Sequence, residues 1–117
     1  MKFMALILLL CSASSFAKVC SSKSDVCVDY KADVAFTTKQ EGRFSLDLNA
    51  ELVKIDLWMP MGQHGHGSSP LKVTPVSEGQ FDVTKAYFVM RGAWQIRVTY
   101  KKAGVQETLI MPVMVKE

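Results

Sequence analysis

The chain has 117 residues and a formal net charge of +3 at pH 7. This length suits one small domain with a single hydrophobic core. The charge is close to balanced, and the longest run of basic residues is Lys101-Lys102. This pattern argues against a nucleic-acid-binding surface and against a polybasic segment that binds anionic membranes.

The first 17 residues have the pattern of a secretory signal peptide. Lys2 is a short positive region, residues 3–10 are apolar, and Ser15-Phe16-Ala17 offers the small residues that a signal peptidase recognises. We expect cleavage after Ala17 and export to the periplasm or beyond. The mature domain would span residues 18–117, without a transmembrane segment.

Two cysteines, Cys20 and Cys27, remain after this cleavage, because Cys11 leaves with the leader. An even pair of cysteines in an exported protein favours a disulfide, which here would close the N-terminal segment 18–28. A pair of thiolate metal ligands is the alternative. It is disfavoured because six residues separate the cysteines, whereas metal-binding pairs typically have the C-x2-C spacing.

Alternating apolar and polar residues, the pattern of half-buried strands, dominate the mature chain. The alternation is clearest at 44–48, 52–59 and 94–100. The predicted inward rows are Val53, Ile55, Leu57 and Met59, and then Trp94, Ile96, Val98 and Tyr100, with Thr99 outward. Further strands are predicted at 30–37, 71–77, 80–84, 86–90 and 105–115.

Short strands separated by glycine-containing turns, with no helical period, predict an all-β protein. The expected fold is an immunoglobulin-like antiparallel β-sandwich of about seven to eight strands. A small closed barrel is the alternative. Pro75 and Pro112 fall inside predicted strands, which indicates edge strands or bulges at those positions.

The segment 58–70 carries the most distinctive chemistry. Two thioethers and two imidazoles occur within eight residues, and the chain has no other histidine; the four residues are Met59, Met61, His64 and His66. Thioether and imidazole together suit Cu(I). The histidines alone could hold Cu(II) or Zn(II), although thioether is a poor zinc ligand. Two solvated loop histidines are the alternative interpretation.

A second cluster lies at 90–94, where we predict a tight hairpin. If its tip lies at the same end of the sandwich as the 59–67 loop, Met90 becomes a third thioether candidate. Trp94 or Trp58 could then shield a bound Cu(I) ion through a cation–π contact. Core packing explains Met59 and Met90 equally well, and alternation already predicts Trp94 in the core.

No catalytic constellation is visible. The predicted disulfide removes both mature cysteines as nucleophiles, and the serines near His66 lack a G-x-S-x-G context. We therefore expect a protein that is not an enzyme.

Two blocks of the sequence resemble the small exported bacterial domains of the YtkA-like (FixH-related) family. Residues 57–62 with 66–70 resemble its M-P-x-M-G-H-G-S-S-P block, and 87–98 resemble its Y-x-x-x-M-x-G-x-W-x-I-x-V block. The resemblance covers 43–115 and implies an immunoglobulin-like sandwich linked to copper handling in the bacterial envelope. The matched motif positions are Met61, His66, Met90 and Trp94, whereas Gln63-His64-Gly65 stands as an insertion.

These features together predict a small exported copper-binding protein, a Cu(I) chaperone, buffer or copper-site assembly accessory. Its partners would be envelope proteins that donate or accept copper. The predicted ligands are Met59, Met61, His64, His66 and Met90, with Trp94 and Trp58 behind them. The alternative is a metal-free interaction or structural module, in which 59–67 is a packed corner and Ser68-Ser69-Pro70 its exit turn.

Overall fold

The computed structural model describes residues 15–62, 64–67 and 70–117, which form nine strands. The strands are β1 Ser15–Cys20, β2 Cys27–Ala32, β3 Gly42–Leu48, β4 Glu51–Met61, β5 His64–Gly67, β6 Lys72–Ser77, β7 Gln80–Ala86, β8 Gly92–Lys102 and β9 Val105–Val115. They build two antiparallel sheets, ordered β1-β2-β3-β7-β6 and β5-β4-β8-β9. Within these ranges no helix has the length and apolar character needed to cross a membrane.

The strand order is that of an immunoglobulin domain. β2-β3-β7-β6 facing β4-β8-β9 reproduces the four-stranded and three-stranded sheets of the constant type. β5 adds a strand beside β4, and β1 adds one beside β2. The predicted all-β sandwich is confirmed. It has more strands than predicted because 64–67, expected as a loop, and 15–20, expected to be divided by cleavage, are both paired.

The core lies between the sheets and follows the predicted alternation closely on β8. Trp94, Ile96, Val98 and Tyr100 are all buried. From β4, Ile55 and Leu57 are buried as predicted and Met59 is partly buried against the same cluster.

Two residues depart from the predicted faces, each for a local reason. Val53 is 44% exposed instead of inward, because the β4–β8 register shifts between Leu52 and Lys54 and Leu52 packs against the core instead. Thr99 is buried although predicted outward. Its hydroxyl lies 3.0 Å from that of Thr108 on the neighbouring strand β9, which satisfies the buried oxygen.

The strand predicted at 30–37 lies earlier in the chain. β2 ends at Ala32 and an irregular segment follows, in which Phe36 is buried in the core. Thr37 then forms an isolated parallel bridge with Lys116. Residues 33–36 were predicted to continue the strand because the apolar residue Phe36 fits an alternating pattern, although this segment is not a strand.

The strand predicted at 80–84 is β7, which extends to Ala86. The strand predicted at 86–90 is wrong, because residues 87–91 belong to no strand. The predicted 90–94 hairpin is wrong, because β7 pairs with β3 and β6 whereas β8 pairs with β4 and β9. Residues 87–91 therefore cross from one sheet to the other.

Trp94 fixes the path of this crossing. Its indole Nε1 donates a hydrogen bond to the Met90 carbonyl at 2.9 Å, and its ring meets Phe88 edge-on with centroids 5.3 Å apart. In immunoglobulin domains a tyrosine near the start of the corresponding strand bonds to backbone a few residues upstream. Trp94 holds the equivalent corner of this protein.

The opposite end of the sandwich carries the predicted disulfide. Cys20 and Cys27, directly opposed on β1 and β2, are bonded. The Cys27 N–H donates to the Asn49 side chain at 2.8 Å, and Asn49 donates to the Asp25 carbonyl at 2.9 Å. The Lys102 ammonium, 2.9 Å from the Asp25 carboxylate, holds the pKa of that exposed group below its usual value.

The predicted leader overlaps the first strand. Residues 1–14, including Cys11, lie outside the described residues. Cleavage after Ala17 would leave 18–20 paired with β2 through the Cys20–Cys27 register. The leader and its cleavage site stay predictions.

Both strand prolines lie where predicted. Pro75 is on β6, an edge strand whose register with β7 shifts between Pro75 and Ser77. Pro112 is on β9, the edge of the other sheet. Edge strands tolerate proline because one side of the strand has no ladder to maintain.

We predict that Trp94→Phe destabilises the fold by about 2 kcal/mol, through lost core volume and an unpaired Met90 carbonyl. Urea unfolding followed by far-UV circular dichroism measures this change. The control is Tyr87→Phe, at a side chain that is 48% exposed, which should change stability by less than about 0.5 kcal/mol. Equal losses in the free energy of unfolding for the two variants would contradict the role of Trp94.

Candidate metal site

The Met/His segment forms a two-stranded ribbon at one end of the sandwich. Pairing of β4 with β8 extends to Trp58–Gln95, whereas pairing with β5 covers 58–61. Residues 59–61 of β4 are therefore paired with β5 and not with β8. Pro60 is tolerated there because only one side of the strand needs hydrogen bonds.

The register of the ribbon opposes each methionine with a histidine. Met59 is the partner of His66, and Met61 is the partner of His64. Opposed residues of antiparallel strands have Cβ atoms about 4.5–5.5 Å apart, and every second position shares a face. The four predicted ligand positions thus belong to one face of the ribbon.

The ribbon is more open at its tip than at its base. Met61 is 45% exposed and the His64 side chain is exposed as well. Met59 is partly buried against the core. An ion held at the tip would be accessible to the ligands of another protein.

The 90–92 segment lies against the base of the ribbon. A Cβ atom built on Gly92, whose φ is +130°, would lie 2.8 Å from the Met59 Cε atom. The 59–67 and 90–94 segments therefore lie at the same end of the sandwich, although 90–94 is not a hairpin. Met90 is partly buried, and its carbonyl is the acceptor for Trp94.

The two tryptophans take different places. Trp94 is fully buried in the core. Trp58 alternates with Met59 and Met61 along β4, so it lies on the other face of the strand. There its ring contacts the Arg97 guanidinium, whose Cζ atom is 4.8 Å from the ring centroid. The cation that Trp58 contacts in this structure is Arg97.

Sequence reasoning missed the role of Gly65. The 59–67 segment was predicted to be a loop, yet Gly65 lies in a regular strand. A Cβ atom at this position would lie 2.3 Å from the Cε2 and Cζ2 atoms of the Trp58 indole. The indole occupies the space where a side chain would be. Gly65 is opposite Pro60 and lies diagonally from Trp58, whose direct partner is Gly67, so this contact depends on the register of the two strands.

Among the described residues, no group of three or more His, Cys, Asp or Glu side chains is arranged to hold a metal ion. The candidate ligand set is instead a combination of thioethers and imidazoles. Ser68 and Ser69, the exit turn in the metal-free interpretation, lie outside the described ranges.

The sequence model of the YtkA-like family matches residues 22–99. The chain belongs to this family. The matched region begins before β2 and ends within β8, so it contains the ribbon and the crossing that ends at Trp94. No curated protein and no solved structure matches the chain.

We predict that Gly92→Ala moves the Met59 methyl group, because the new Cβ cannot coexist with Cε at its present distance. The Met59 methyl resonance should shift in a ¹³C–¹H NMR spectrum. The variant should also lose about 1–3 kcal/mol of stability, since alanine is strained at a φ of +130°.

Gly104→Ala is the matched control. Gly104 also has a positive φ, +81°, but no atom lies within 4 Å of its added Cβ. It should cost stability without moving the Met59 resonance. A Met59 resonance unchanged in Gly92→Ala would contradict the contact.

Proposed function

We propose that this YtkA-like protein binds Cu(I) in the bacterial envelope, as a chaperone, buffer or accessory in copper-site assembly, without a catalytic step of its own. The register of the β4–β5 ribbon carries the proposal, because it sets Met59 opposite His66 and Met61 opposite His64. Thioether and imidazole ligands together favour Cu(I) over harder divalent ions.

The geometry of the ribbon supports binding of a single ion. Cross-strand pairs bring ligand positions close together without a long loop to order. Pro60 restricts the backbone between the two methionines. The methionine side chains are long and unbranched, so thioethers from both pairs can converge on one ion.

Export supports the choice of thioethers. In an oxidising compartment the Cys20–Cys27 disulfide leaves no thiolate to bind the metal in the part of the chain that the structure describes. Methionine sulfur is then the soft ligand that remains. The exposed tip of the ribbon suits transfer, because a partner's ligands must reach the ion before it leaves.

One observation favours the second candidate, a metal-free interaction module. Exposed apolar side chains gather at the same end of the sandwich, with Met61 45%, Tyr87 48% and Val89 67% exposed. Such a surface suits an adaptable protein contact. The same residues would also border a copper site that docks onto a partner.

We predict that the exported, disulfide-bonded protein takes up one Cu(I) per chain in anaerobic competition with a chromogenic Cu(I) probe. Met61→Leu, which removes the sulfur at similar volume, and His66→Ala should each weaken binding by at least about tenfold, or roughly 1.4 kcal/mol. His64→Ala tests whether the histidine opposite Met61 belongs to the ligand set.

Met114→Leu is the matched control, since Met114 is 65% exposed but lies on β9, three strands away from β5. Its binding should equal that of the wild type. Wild-type affinity no tighter than micromolar, or equal losses in Met61→Leu and Met114→Leu, would refute the copper proposal.

A further inference from the structure

We infer that Trp58 is a positioning residue that holds β5 in the one register that opposes methionine with histidine. This inference rests on the proposed function, since it concerns the ligand positions of the same site. Trp58 reaches those positions only through the backbone of β5, from the other face of the ribbon.

The ribbon needs such support. β5 has four residues and its described partner is β4 alone. An isolated two-stranded ribbon is marginal in water, and strands of this kind are prone to change register. Because side chains alternate, a slip of one residue would move every position of β5 to the other face.

The packing of Trp58 on Gly65 excludes that slip. Indole atoms lie 2.3 Å (Cε2 and Cζ2) and 2.6 Å (Nε1) from the point where a Cβ on Gly65 would be. Only a residue without a side chain fits under the ring. A one-residue slip would place a histidine there, at position 64 or 66, so the slipped register clashes with the indole.

The orientation of the ring is fixed by charged neighbours on the same face. The Arg97 guanidinium contacts the indole, with Cζ 4.8 Å from the ring centroid. Arg97 Nε donates to Asp56 Oδ1 at 3.0 Å, and Lys54 Nζ lies 3.7 Å from Asp56 Oδ2. The Asp56 carboxylate thus positions the guanidinium that packs on the ring, and Lys54 pairs with the other oxygen of the same carboxylate.

The first test uses the copper-free protein. The Gly65 Hα resonances should be shifted upfield by the indole ring current, and the β5 amides should exchange slowly with deuterium. Trp58→Ala should abolish the ring-current shift and accelerate exchange in β5, with the exchange of β8 amides unchanged. Trp58→Phe keeps an aromatic ring and should retain both signatures in reduced form.

The second test measures Cu(I) affinity with the competing probe. Trp58→Ala and Gly65→Ala should each weaken binding by roughly tenfold, as expected for residues that orient ligands without touching the metal. Trp58→Phe should restore most of the affinity. Gly67→Ala is the matched control in the same strand, because its added Cβ would have no neighbour closer than 4.0 Å.

The outcomes separate this inference from the proposed function. An absent ring-current shift in the wild type, unchanged β5 exchange in Trp58→Ala, or equal effects of Gly65→Ala and Gly67→Ala would overturn the positioning role. If the copper-free signatures hold but the wild type binds no Cu(I), the copper proposal fails while the control of register by Trp58 is supported.

Discussion

The alternation of side chains along β4 is the constraint on which the candidate site depends. Leu57 is buried between the sheets, and its burial determines which face every later residue of the strand presents. The register shift that displaces Val53 lies upstream, so the phase continues unbroken from Ile55 to Met61. The core of the sandwich thereby specifies the face of the ribbon on which both methionines lie, although the ribbon extends beyond the sheet.

The corner at Trp94 links that core to the base of the ribbon. A buried indole bonded to the Met90 carbonyl sets the path of residues 87–91 between the sheets, and this path brings Gly92 against Met59. A residue with a Cβ would not fit at Gly92 without moving the methionine. Core packing and site geometry are therefore coupled through one short backbone segment. A change in the packing of Trp94 would move Gly92 and Met59, and a change at Met59 would in turn disturb this segment.

Local patterns in the sequence predicted the all-β class, the inward row of β8 and the Cys20–Cys27 disulfide, because alternation and cysteine pairing are visible within short windows. They did not predict strand β5, the bulge near Val53 or the sheet crossing at 87–91. Each of these depends on which distant strand supplies the hydrogen bonds. The candidate ligands were found by residue type, but their pairing into Met59–His66 and Met61–His64 required the register.

The tripeptide Gln63-His64-Gly65 shows how the strand register changes the interpretation of a sequence motif. As an insertion relative to the family block, it lengthens a loop and adds a histidine. In the structure His64 opposes Met61, and Gly65 lies under the Trp58 indole, so both residues belong to the paired ribbon. A side chain at the third position of this tripeptide would overlap the Trp58 indole in its present position. The histidine at 64 depends on the glycine at 65, because that glycine lets β5 pair in the register that brings His64 to Met61.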